Sequence, residues 1–196
     1  MRYKNIVLND NWFYKDPGIN SENTLIESME DFQNNYPENF YFIDRFPHLV
    51  HDFDKYSQME LYYSNSGNND SYKSEENKFL AVISKLWVYG ETIVESSIHS
   101  EEDASLQLED SQDPSYFNEF KTEDLVCVTD AKKLASVLKL ALRGKIWVCF
   151  IMNDLSIIVW CNDLVCGVYF GEAAKSKPLV QNICTTEGLY LRPITE

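Results

Sequence analysis

The clearest hydrophobic patterning lies in the last third of the chain. Leu125-Val126-Cys127-Val128 is a short apolar run of strand character. Asp130 follows as a helix N-cap, and Leu134, Val137, Leu138 and Ala141 recur at intervals of three and four before Gly144 closes the helix. Three apolar runs come next, 145–152, 155–161 and 164–170, separated by Asn153-Asp154 and Asn162-Asp163. Asn and Asp tolerate the positive φ of tight turns, so the pattern predicts two successive two-residue hairpins. That register sets Ile146 opposite Cys161, Val148 opposite Val159 and Phe150 opposite Ile157. In the next hairpin it sets Val159 opposite Cys166 and Ile157 opposite Val168. Trp147, Trp160 and Val165 fall in a row on the reverse side. Both sides are apolar, so the meander must be covered twice or leave an aromatic face for a partner; coverage by the two long helices is the expectation.

The first two-thirds reads less cleanly. Tyr3 to Leu8 suits a strand, and Ser21 caps a predicted helix over 22–35 with Leu25, Met29 and Phe32 on one face and Pro37 beyond it. A strand is expected before Pro47, with a helix or extended segment after it. Residues 64–77 are polar and read as a loop, with Ser74 capping a helix over about 75–97. Gly90 interrupts the apolar spacing of that helix, and the alternative is a break there into helix and strand. Ser96 to Asp113 reads as a long acidic loop, and Asp113-Pro114 starts a short helix through Phe120. The fold class is therefore α+β: a C-terminal helix plus three-stranded antiparallel meander within a larger mixed sheet packed by helices, in a single domain over 1–196.

Charge changes this picture more than composition does. The formal net charge is −14 over 196 residues, and it is unevenly placed. Residues 1–124 hold 25 Asp and Glu against 9 Lys and Arg, whereas 125–196 hold 6 against 8. A surface of this sign repels nucleic acid and anionic membrane and attracts basic proteins at long range. Hydrophobic content of 44% argues against global disorder. With no signal-like h-region and no apolar run of spanning length, the cytoplasm is the expected location. The five cysteines, Cys127, Cys149, Cys161, Cys166 and Cys184, form no C-x-x-C pair and are expected to be reduced thiols.

Catalytic chemistry finds few carriers. His48 and His51, three apart with Asp52 beside them, have a spacing that can hold a divalent metal on a helix, but the glutamate and i, i+4 spacing of the zinc-protease motif are missing. Ordinary histidines are the preferred reading, with no metal and no cofactor. No G-x-S-x-G, Walker A or G-x-G-x-x-G occurs. Cys161 and Cys166 have no histidine nearby in sequence to activate a thiol. The chain is not expected to be an enzyme.

What remains is acid interleaved with aromatics, in 41–63 and again in 113–124. Carboxylates steer a basic partner, and aromatic side chains supply contact area at low entropic cost. The candidate partner-binding residues are Glu101, Glu102, Asp103, Glu109, Asp110, Asp113, Tyr116, Phe117, Glu119, Glu123 and Asp124. In size, acidity and lack of catalytic machinery the chain resembles the immunity proteins of bacterial toxin-delivery systems, a likeness of class without a diagnostic motif. The resemblance implies an antitoxin that sequesters a basic toxin domain such as a nuclease, serving bacterial competition, with no direct contact to nucleic acid or membrane; no site residue carries over from it. The alternatives are a DNA-mimic inhibitor of a nucleic-acid-binding protein, or an enzyme using His48, His51 and Asp52.

Overall fold

The computed structural model describes residues 24–52, 54–56, 70–100, 114–171 and 174–194. The expected strand 3–8, Phe53, Glu60, Tyr62, Tyr63 and the acids Glu101, Glu102, Asp103, Glu109, Asp110 and Asp113 lie outside these residues.

The protein is α+β, built on one seven-stranded sheet. The strands are β1 (Phe40–Asp44), β2 (Thr92–Ser96), β3 (Leu125–Cys127), β4 (Val148–Met152), β5 (Ile157–Cys161), β6 (Cys166–Phe170) and β7 (Tyr190–Pro193), in the order β3-β2-β4-β5-β6-β1-β7. Every pairing is antiparallel, including those of the larger sheet expected to be mixed. Strands from the acidic part (β1, β2) are interleaved with strands from the remainder, so the two charge regions share one sheet.

The meander forms where the Asn-Asp pairs predict it, but with a different register. Val148 pairs with Cys161 and Phe150 with Val159; across the next hairpin Val159 pairs with Val168 and Cys161 with Cys166. The turns hold four residues rather than two. The first is a 3₁₀ turn over Asn153–Leu155 with Ser156 left-handed at φ 52°, and in the second Asp163 takes φ 64°. Two extra residues per turn slide each pairing by two positions. A slide of two preserves every side chain's face.

That is why the predicted faces hold. Val148, Phe150, Ile157, Val159, Cys161, Cys166 and Val168 belong to one core cluster, and Cys149, Ile151, Ile158, Trp160 and Tyr169 to the other. Helices α2 (Asp70–Trp87), α4 (Ala131–Leu142) and α5 (Lys177–Thr186) cover the first side with Phe79, Val82, Leu134, Leu138, Val180 and their neighbours. The second side receives the short helix α1 (Met29–Asn35) and the turn before it, through Leu25 and Phe32. The two sides are thus covered by different helices, the long ones all on one side. Trp147, expected in a row with Trp160, is 45% exposed, while Trp160 is fully buried.

Several boundaries move for identifiable reasons. Residues 24–28 are not α-helical as expected; Leu25 to Ser28 forms turns, and α1 starts at Met29. Helix α2 begins at Asp70, inside the tract read as loop, because Tyr72 and Glu76 are buried anchors: the Tyr72 hydroxyl donates to Leu142 O at 2.6 Å, and Glu76 accepts Arg143 Nε at 2.6 Å and Nη2 at 3.0 Å. The same helix stops at Trp87 and gives way at Gly90 to β2, the alternative reading of that stretch. Helix α5 and β7, which no sequence pattern singled out, extend the sheet beyond β1.

Candidate functional site

The corner formed by β2, β3 and the elements before β3 holds the described part of the predicted binding residues. Ser97–Ser100 forms a 3₁₀ turn, and the chain re-enters at Pro114–Phe117, another 3₁₀ turn, followed by helix α3 (Asn118–Thr122). Ile98 anchors the first turn, and Phe117 and Phe120 the second and α3, all in the same core cluster. The turn 97–100 packs against α3. Both ends of the 101–113 stretch, with its six carboxylates and no Lys or Arg, are therefore fixed at one corner.

The predicted residues divide by role. Phe117 is 4% exposed and packs in the core cluster, unlike the other described members of the set. Tyr116 is half-buried. Glu119 is exposed but pairs with Lys133 Nζ at 2.6 Å, and that ammonium also lies 5.6 Å from the Phe120 ring centre. Glu123 is exposed and Asp124 half-buried. Asp130, just beyond β3, is an N-cap as predicted, its Oδ1 accepting Lys132 N and Lys133 N at 2.8 Å each.

Behind this corner lies a carboxylate that no sequence pattern singled out. Glu95 on β2 points into the second layer, where its Oε2 accepts Leu25 N at 2.8 Å. Trp160 Nε1 donates to Leu25 O at 2.7 Å. Two side chains of the sheet thus hold both main-chain groups of one residue. Burial pushes the Glu95 carboxyl up to about 7; the main-chain donors of Leu25 and Ile26 oppose the shift, and the charges of Asp124 and Glu27 add to it. Glu95 shares its face of β2 with Ile93, but nothing local marked it as the anchor of a segment 70 residues away.

At the far end of β2 and β3 is a groove of about 510 Å³, bordered by Trp87, Val88, Gly90, Glu91, Thr92, Cys127, Val128 and Thr129. Trp87 Nε1 donates to Val128 O at 2.8 Å, fixing the indole, and the Cys127 thiol meets Glu91 Oε1 at 3.6 Å. Partial burial and the Glu91 carboxylate raise the Cys127 thiol. Asp154 Oδ2 accepts Glu91 N at 3.1 Å, and a β-carbon at position 90 would stand 1.9 Å from that oxygen, so the approach of Asp154 requires Gly90.

The other candidates lose their geometry. His48, His51 and Asp52 are exposed and outside any helix, so the helical spacing expected of the two imidazoles is not formed; Asp52 instead pairs with Lys55, which holds its carboxyl below the usual range. No cluster able to hold a metal ion occurs among the described residues. In the acid-aromatic stretch after residue 39, Asp44 pairs with Arg192 at 3.1 Å, and the guanidinium lies 5.1 Å from the Phe42 ring centre. Those residues tie β1 to β7. The five-thiol expectation is corrected as well: Cys161 and Cys166, directly opposite across β5 and β6, are disulfide-bonded, and Cys127, Cys149 and Cys184 are free. The four-residue turn is what sets these two cysteines opposite one another.

No described helix is long and apolar enough to cross a membrane. Comparison with known proteins gives no matching family model, no matching curated protein and no matching solved structure.

Proposed function

We propose that this protein binds and neutralises a basic partner, in the manner of an immunity protein that blocks a cognate bacterial toxin in the cytoplasm. The observation that supports the reading is the corner at β2, β3 and α3. It fixes both ends of a stretch with six unbalanced carboxylates, beside exposed Glu119 and Glu123 and half-buried Asp124 and Tyr116. Charges concentrated on one side raise the encounter rate with a basic protein, and a partly buried tyrosine beside them supplies short-range contact. The reading invokes no catalysis, no cofactor and no direct contact with nucleic acid or membrane.

The test is capture of the bound partner from the source cells, then binding of that purified partner to wild type and to a Tyr116→Ala variant. A basic protein whose complex dissociates ~30-fold faster from Tyr116→Ala, the equivalent of ~2 kcal/mol, supports the reading. An acidic partner, or one insensitive to Tyr116, overturns it.

A further inference from the structure

We infer that the open edge of β3, together with the groove beside it, takes up an extended segment of the partner as an added strand, one in which apolar and basic residues alternate. This deepens the proposed function and rests on its claim of a basic partner.

Among the described residues two edges bound the sheet, and they are unlike. β7 ends in Pro193, which has no N–H to offer a neighbour, and its Arg192 is committed to Asp44. β3 carries no proline, lysine or arginine. Its hydrogen-bonding phase follows from one bond: Val128 N donates to Thr92 O at 3.0 Å. Antiparallel pairs alternate, so Val94 and Val126 form the next bonded pair, while Ile93 and Cys127 are a non-bonded pair. The N–H and C=O of Cys127 therefore point away from β2, with those of Thr129 in the same phase. Both residues are exposed, and no described main-chain group bonds to either. An edge of this kind is a template for one more strand.

The groove states what that strand should carry. Val88 is 68% exposed and Tyr89 50%, an apolar step beside the half-buried Trp87 at the end of α2. Cys127 and Glu91 lie together on one face of the edge, whereas Val128 and Trp87 pack with the core of the other. Successive side chains of an added strand alternate between these faces, so one parity meets Trp87 and Val88 and the next meets Glu91, with Asp154 behind it. Among the described residues no lysine or arginine borders the groove. A second copy of the chain fits poorly, because two β3 edges would bring like charges together on a protein of net charge −14.

The probe is a six-residue peptide of alternating Lys and Val, blocked at both ends, titrated into the isotope-labelled full chain, with the Glu-Val counterpart as control. The Lys-Val peptide should shift the amide signals of Glu91, Cys127 and Thr129 and slow exchange of the Cys127 amide at least tenfold, and the control should do neither. Cys127→Pro removes the outward-facing N–H together with the thiol beside Glu91 and should abolish the shifts at Glu91 and Thr129; Glu91→Lys should weaken binding at least tenfold and carries the test if the proline variant does not fold. Shifts spread over other acidic surface, equal binding by both variants, or a peptide-free dimer that protects Cys127 would each overturn the proposal. If the captured partner binds both variants as well as wild type, the edge is excluded while neutralisation stands. If the peptide docks as described but no basic partner is captured, neutralisation fails while the edge stands.

Discussion

Replacing Glu95 by glutamine probes the second layer through the pH dependence of stability. Glu95 is 4% exposed, and its carboxyl is raised from 4.5 to about 7, chiefly by burial. At 1.36 kcal/mol per pH unit, ionising this group costs the folded state about 3 kcal/mol relative to the unfolded one. Because the folded value lies above the unfolded one, this stability is fully present below pH 4.5, is lost as pH rises to about 7, and is absent above. The glutamine side chain cannot ionise, so this part of the slope disappears in the variant. Its amide can still accept from Leu25 N but presents N–H groups where the second oxygen stood, which adds a constant penalty of about 1–2 kcal/mol at every pH. The readout is therefore the slope and not the stability at one pH. Urea unfolding followed by tryptophan fluorescence at pH 5, 6, 7 and 8 should show wild type losing up to about 3 kcal/mol more than Glu95→Gln across that range. Parallel curves for the two proteins would refute the claim that a buried carboxylate, raised by its surroundings, anchors residues 24–28.

Arg143→Met should destabilise by about 3–5 kcal/mol, because it strands the buried Glu76 carboxylate, and pairing it with Glu76→Leu should recover most of the loss; chemical denaturation of both variants checks this. Gly167→Ala should cost about 1–3 kcal/mol by the same assay, since the new methyl would lie 2.7 Å from Phe40 Cζ on the neighbouring strand β1 and 3.0 Å from Met29 Cε of α1. Thiol titration of the denatured protein without reductant should count three groups, rising to five after reduction; five at the outset would contradict the Cys161–Cys166 bond.

The parts of this fold that were legible in the chain are those governed by local rules. Asp130 caps because its side chain serves two N–H groups within three residues, and the faces of β4, β5 and β6 follow from a period of two that survives any even change of register. Turn length was not legible, because Asn-Asp is compatible with two-residue and four-residue connections alike, and the Cys161–Cys166 pairing was hidden with it. The start of α2 was missed because Ser71 to Asn77 is polar, and its anchors, Tyr72 on Leu142 O and Glu76 on Arg143, lie 70 and 67 residues away in sequence. Helix α5 and β7 lacked a strong signal of their own and are fixed by packing on the first face and pairing with β1. At the candidate site the charge was plain from the sequence, but the exposed edge of β3 and the Trp87–Glu91 groove arise only when α2 ends beside it.

If the acidity serves capture of a basic partner, the association rate constant should register it. With the captured partner, that rate is to be compared at ~0.01 M and ~0.15 M salt, where the Debye length falls from ~30 to ~8 Å, for wild type and for a variant with Glu101, Glu102 and Asp103 neutralised together. Wild type is expected to slow ~10-fold or more between these conditions, and the triple variant to be slower at low salt and less salt-dependent, with dissociation little changed. An association rate indifferent both to salt and to the triple neutralisation would mean that the acidity has no part in capture.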